Sequence, residues 1–179
     1  PDRWYEVFLG GSKVGHSHST VKLENGEVVS KSTFTMTVER AGVSIEIKSM
    51  ESTRELLSGE IISFSGEMKM AGVPISKKGW VEGNEIVVIE KQFFREKEMR
   101  YPLDPDGKMT WGLINALREN QFKEIGRQFE TKVYSAAFGM ASPTKAIIKT
   151  IGESEIIISG EAKKVFKTEI SMSTSIGTI

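Results

Sequence analysis

Alternation of apolar and polar residues dominates the amino-terminal half of the chain. Phe34, Met36 and Val38 alternate with Thr33, Thr35 and Thr37, and Val43, Ile45 and Ile47 alternate with Ser44, Glu46 and Lys48. Ile62, Phe64, Met68 and Met70 share one parity against Ser63, Ser65, Glu67 and Lys69. Successive side chains of a strand point to opposite faces, so a period of two puts one set in a core and the other in water. The alternating threonines reinforce the strand, because a branched β-carbon fits a pleated surface.

Turn chemistry punctuates these runs. Gly10-Gly11, Asn25-Gly26, Ala41-Gly42, Ser58-Gly59, Ala71-Gly72 and Gly83-Asn84 each separate two strand-like segments. Such pairs supply the positive φ of tight hairpin turns, so sequence neighbours become sheet neighbours. The pattern predicts strands near 3–9, 13–24, 27–40, 43–55, 60–70, 75–82, 85–92 and 94–102. Long strands in a meander twist and curl toward a half-barrel or barrel.

Asp104-Pro105-Asp106-Gly107 breaks the pattern. A helix is predicted over 110–120, where Met109, Leu113, Ala116 and Leu117 recur at helical spacing and Thr110 is placed to act as N-cap. Strands resume near 127–135, 144–151, 154–159 and 163–172. The expected fold is all-β over residues 1–179 as one domain: a strongly curved antiparallel meander, half-barrel or barrel-like, with one short helix covering the open face.

Composition narrows the functional classes. The 179 residues carry 24 Lys plus Arg and 24 Asp plus Glu, a balance without the basic footprint of a nucleic-acid binder. The absence of cysteine removes disulfide frameworks, thiolate zinc sites and cysteine nucleophiles together. No apolar run approaches the roughly 20 residues that span a bilayer as a helix. The chain begins at Pro1 with no Met and no signal sequence, which is the expectation for a mature or trimmed form.

The two histidines, His16 and His18, lie at i and i+2, on one face of a strand. A metal site needs three or four ligands, and the neighbouring sequence supplies no third. The expectation is therefore no metal, no cofactor and no role for either histidine in an activity. No Gly-x-Ser-x-Gly elbow is present, and Gly10-Gly11-Ser12 joins strand to strand rather than opening a phosphate-binding helix. Glu96, Glu98, Glu153 and Glu155 recur at i, i+2, as on a solvated strand face. No nucleophile, base and orienting group can be named together, so no catalytic residue is expected.

Methionine is the informative residue type. Met36, Met68 and Met70 share apolar strand faces with Phe34 and Phe64, while Met109 and Met140 flank the helical region. Flexible, polarizable thioethers suit surfaces that adapt to varied apolar ligands. A curved sheet lined in this way, closed by Leu113 and Leu117 of the helix, could hold an acyl chain against Phe34, Met36, Phe64 and Met68. The alternative is an ordinary packed core at the same positions.

The opening run from Trp4 to His18, with its aromatic strand, Gly10-Gly11 turn and Lys13-Val14-Gly15 second strand, resembles a known pattern. It is similar to the start of the β-rich domain that precedes transglutaminase-like cores in bacterial proteins. The Gly79-Trp80-Val81-Glu82-Gly83-Asn84 hairpin, Pro102-Leu103-Asp104 before the helix, and Ile151-Gly152-Glu153 with the Gly160 turn extend the resemblance along the chain. It implies a fold like that of the periplasmic lipoprotein carriers, an extracytoplasmic setting (periplasmic or secreted), and no catalytic residue in this part of the protein. The function expected on these grounds is a non-catalytic accessory or binding module beside a transglutaminase-like partner domain. A stand-alone carrier of a lipid or other apolar ligand is the alternative. The partners implied are a protein domain or an apolar small molecule, with no nucleic acid and no membrane span.

Overall fold

A computed structural model describes residues 2–9, 11–40, 42–70, 72–120, 124–137, 139–158, 160–174 and 177–178. Its first part is an eight-stranded antiparallel meander in sequence order: β1 (Asp2–Leu9), β2 (Ser12–Glu24), β3 (Glu27–Arg40), β4 (Val43–Leu56), β5 (Ile61–Met70), β6 (Val73–Glu82), β7 (Glu85–Gln92) and β8 (Arg95–Pro102). The Asn25-Gly26 turn takes positive φ at both residues (52° and 83°), as a two-residue hairpin requires for its twist to match the strands. Among the described residues β1 and β8 do not pair, so the curved sheet stays open.

Residues 107 onward form the cover. β9 (Gly107–Lys108) pairs in parallel with β10 (Gln128–Ser135), and β11 (Gly139–Ile158), β12 (Glu161–Thr174) and β13 (Gly177–Thr178) complete a second sheet. Between β9 and β10 lies the one helix of the described residues, α1 (Thr110–Glu119). Two sequence expectations are corrected here. The strands read near 144–151 and 154–159 are one 20-residue strand, because a bulge between Thr150 and Gly152 lets the ladder pass the glycine without ending. Thr110 is the first helical residue, not the cap: Met109 occupies the N-cap position and provides no side-chain hydrogen bond.

The helix is capped from elsewhere. Glu55, near the end of β4, accepts the backbone N–H of Trp111 at 2.6 Å and of Gly112 at 3.1 Å. These are two of the donors that a helix start leaves without an intrahelical partner. Trp111 Nε1 and Asn115 Nδ2 both donate to the Leu57 carbonyl, fixing the same end of the helix. Gly59 and Gly112 lie so close that a Cβ on Gly59 would stand 2.8 Å from the Gly112 Cα.

Ladder partners share a face, so the register sorts the meander into an inner and an outer face. The inner face holds the core: Ile61, Phe64, Ile86 and Val88 pack with Met109, Tyr134, Ala136 and Met140 from the cover. One hairpin turn of the cover presses on the sheet centre. Glu51 of β4 accepts from the Ser135 hydroxyl, and from the Ala137 N–H at 2.7 Å. Gly66 of β5, paired with Glu51, leaves room for that turn.

Candidate functional site

Beyond the Glu51 contact the inner face changes character. The register aligns Tyr5, Ser17, Phe34, Ser49, Met68 and Ile75 in one row across β1 to β6. The next row toward the β3–β4 turn runs through Val7, Gly15, Met36, Ile47 and Val73, and Val38 faces Ile45 beyond it. Phe34, Met36, Met68, Ile47 and Ile75 are half-buried, whereas Phe64, Ile86 and Val88 on the same face are buried. The result is a partly shielded apolar field, separated from the core by a polar row of Ser32, Glu51, Gly66, Lys77 and Glu90, in which Lys77 pairs with Glu90 at 3.5 Å. Five inter-strand steps of about 4.8 Å make its long dimension roughly 24 Å.

The six residues that the sequence groups as an apolar site are divided by this architecture. Phe34, Met36 and Met68 lie together in the field. Phe64 is part of the packed core. Leu113 and Leu117 are half-buried on α1, whose amino end is anchored at Glu55. Glu55 is six residues along β4 from Ser49, the ladder partner of Phe34, a separation of roughly 20 Å at the strand rise. The Glu51 contact to the cover lies between the two positions. Tyr5, Val7, Ile47 and Ile75, which complete the field, are not among the six. Their signal is parity alone, and assigning it to this face requires the ladder register.

The outer face carries a different feature. Lys31, Thr33, Met50, Glu67, Lys78 and Lys91 are among the residues lining an open trough of about 540 Å³. At its margin the His18 ring stacks on Trp4 (centroids 4.2 Å apart) and places Nε2 2.7 Å from Asp2. His16 is the ladder partner of Glu6 and lies 5.9 Å from the Trp4 ring. The trough mixes both charge signs with hydroxyls. Among the described residues no hydroxyl donates to either histidine, and no group of three or more His, Asp or Glu is gathered as a metal site would require. A zinc titration followed by calorimetry should therefore give only the heat of dilution, for the wild type and for His16→Ala/His18→Ala alike. Sub-micromolar binding lost in the double variant would restore a metal reading.

The fold has a solved counterpart. A crystal structure described as a beta-barrel-like protein of domain of unknown function DUF1849 from Brucella abortus aligns over 90% of this chain and 71% of its own, with a TM-score of 0.63 and 10% sequence identity. At that identity the likeness concerns fold alone, and it supports the barrel-like antiparallel architecture. No protein-family model matches the chain, and no curated protein matches it significantly.

Two carboxylates that organise the inner face give no sign of it in the sequence. Glu51 and Glu55 read as polar members of an ordinary strand, yet both turn inward and accept backbone N–H groups from the cover. Burial of Glu55 raises its pKa, against the opposing effect of the hydrogen bonds from Gly112, Trp111 and Thr53. Glu55 is committed to these bonds and is fully enclosed, so it is not placed to act on a solute.

Proposed function

We propose that this chain is a non-catalytic binding module that accepts an apolar or amphiphilic ligand on the inner face of its meander. The observation that carries the reading is the partly shielded field of Phe34, Met36, Ile47, Met68 and Ile75, which lies beyond the part of the inner face that the cover packs. Burying a methylene against such a surface is worth about 0.8 kcal/mol. With at least about 4 kcal/mol lost in freedom on association, an acyl chain with roughly fifteen buried methylenes is needed for micromolar affinity. The methionines allow chains of different shape to be accommodated.

The resemblance of the opening strands supports an extracytoplasmic setting and a transglutaminase-like neighbour, and genomic context tests that part. Ligand binding is tested on the protein itself. Gentle purification followed by native mass spectrometry should show co-purified acyl species, and a fluorescent fatty acid should bind the stripped protein. Met68→Glu should weaken that binding at least tenfold while circular dichroism stays unchanged. Protein that is clean of lipid and takes up no probe would reject the ligand reading.

A further inference from the structure

We infer that the end of the meander bearing the β1–β2, β3–β4, β5–β6 and β7–β8 turns docks on an anionic lipid surface. In an antiparallel meander these four turns fall at one end, and the β2–β3, β4–β5 and β6–β7 turns at the other. The tips step down the register. β5 ends at Met70, opposite Ile47, and the β7–β8 turn follows Gln92, opposite Ile75. Such a stagger is how a curling sheet presents its tips along one rim.

Three observations mark this rim. The first is aromatic exposure: the opposite end exposes Leu23, Leu56 and Leu57 at its turns, whereas this one exposes phenylalanines. Phe8, Val43, Val73, Phe93 and Phe94 are all exposed, and Phe94 is fully so. The second is the β7–β8 turn, where Phe93 holds a φ of 53°. Turns of that conformation favour Gly, Asn or Asp, and a bulky residue there is an outlier. An aromatic pair is thus kept at a tip where small polar residues would be less strained.

The third is charge. Within two positions of these turns stand Lys13, Arg40, Lys69, Lys91 and Arg95, against Glu39 and Glu96. The same window at the opposite end holds Glu24, Glu27, Glu60, Glu82 and Glu85 with the inward-facing Glu55, and no Lys or Arg. Among the described residues Lys69, Lys91 and Arg95 form no ion pair. At the other end Arg54 reaches Glu27, and Arg100 reaches Glu82 and Glu85. The turns at the two ends of the meander therefore differ in charge. Aromatic tips flanked by Lys69, Lys91 and Arg95, which make no ion pair among the described residues, match the interfacial layer of a bilayer with anionic headgroups, where the rings enter the headgroup boundary and the cations remain at its surface.

The test uses the whole chain and two vesicle populations, phosphatidylcholine alone and phosphatidylcholine with phosphatidylglycerol. Co-sedimentation should be at least tenfold stronger with the anionic vesicles and should decline as salt screens the attraction. Phe93→Ser/Phe94→Ser should abolish most of it without changing the melting temperature. Leu23→Ser, an exposed apolar change at the acidic end, should leave it intact. Equal partition to both vesicle types, no partition to either, or unaltered binding of the Phe93/Phe94 variant would overturn the proposal. A dimer in vesicle-free sedimentation that the same variant dissolves would overturn it in favour of self-association. The ligand reading does not depend on the result, since it concerns the sheet face and not the rim.

Discussion

Glu55→Ala is expected to destabilise the protein by about 3 kcal/mol. Two buried backbone donors, of Trp111 and Gly112, lose their acceptor, and each such loss is worth about 1–3 kcal/mol. With a urea dependence of about 2 kcal/mol per molar, the unfolding midpoint should fall by roughly 1.5 M. Glu55→Gln keeps one acceptor oxygen and should lose about half as much. The pH dependence has a defined sign. Burial holds the Glu55 pKa above its ordinary value of 4.5, so between the unfolded and folded pKa the native state binds the extra proton. The contribution of Glu55 to stability is therefore complete below 4.5 and is lost as pH rises through the folded pKa. Measured against Glu55→Gln, which does not titrate, the wild-type advantage should shrink as pH rises from acid toward neutral. A constant or growing advantage would contradict the burial argument, and a Glu55→Ala effect below about 0.5 kcal/mol would remove the capping role.

Gly66→Val should be comparably damaging for a different reason. A Cβ at Gly66 would lie 2.7 Å from the Ala136 carbonyl carbon and 2.8 Å from the Ala137 nitrogen. Both are backbone atoms, so the β10–β11 turn must lift from the sheet. Overpacking of this kind costs about 1–3 kcal/mol, and lifting the turn also breaks the bond from Ala137 to Glu51. The combined loss is expected to be about 3 kcal/mol. Amide exchange locates the damage: the Ala137 N–H should lose protection, while the Trp111 N–H, held at the other end of β4, should keep it. A stable variant with Ala137 still protected would show that the turn does not bear on Gly66.

The two carboxylates explain how the cover is held. β4 sends Glu51 and Glu55 inward with Thr53 between them, and the three give the inner face a polar spine. One end receives the β10–β11 turn and the other the start of α1. Between them Phe64 meets the core at the level of Gly79, where a Cβ would stand 2.5 Å from the Phe64 ring. The cover thus spans the part of the sheet from Glu55 to Glu51 and stops short of the Phe34 row. That placement leaves the apolar field partly open.

Much of the meander was legible because its signals are local. Period-two alternation and glycine-bearing turns act within a few residues, and the first seven strands follow them closely. The β7–β8 turn is the instructive exception. Phe93-Phe94 has none of the residues that favour a tight turn, yet the alternation places a break there, and β8 begins at Arg95, one residue later than expected. The Gly152 bulge is the converse case, a glycine that reads as a break but that the ladder absorbs.

What the sequence by itself determined was parity: which residues of each strand share a face, and that Phe34, Met36, Phe64 and Met68 belong to the apolar side. Parity carries no information about what lies opposite. The tertiary structure alone decided that Phe64 is covered while Phe34, Met36 and Met68 are only half-shielded, because that depends on where the cover docks. Docking is set by Glu51 and Glu55 meeting backbone groups more than fifty positions away, and by glycines that permit close approach. Such contacts join segments whose spacing along the chain has no period, so no window of sequence can display them.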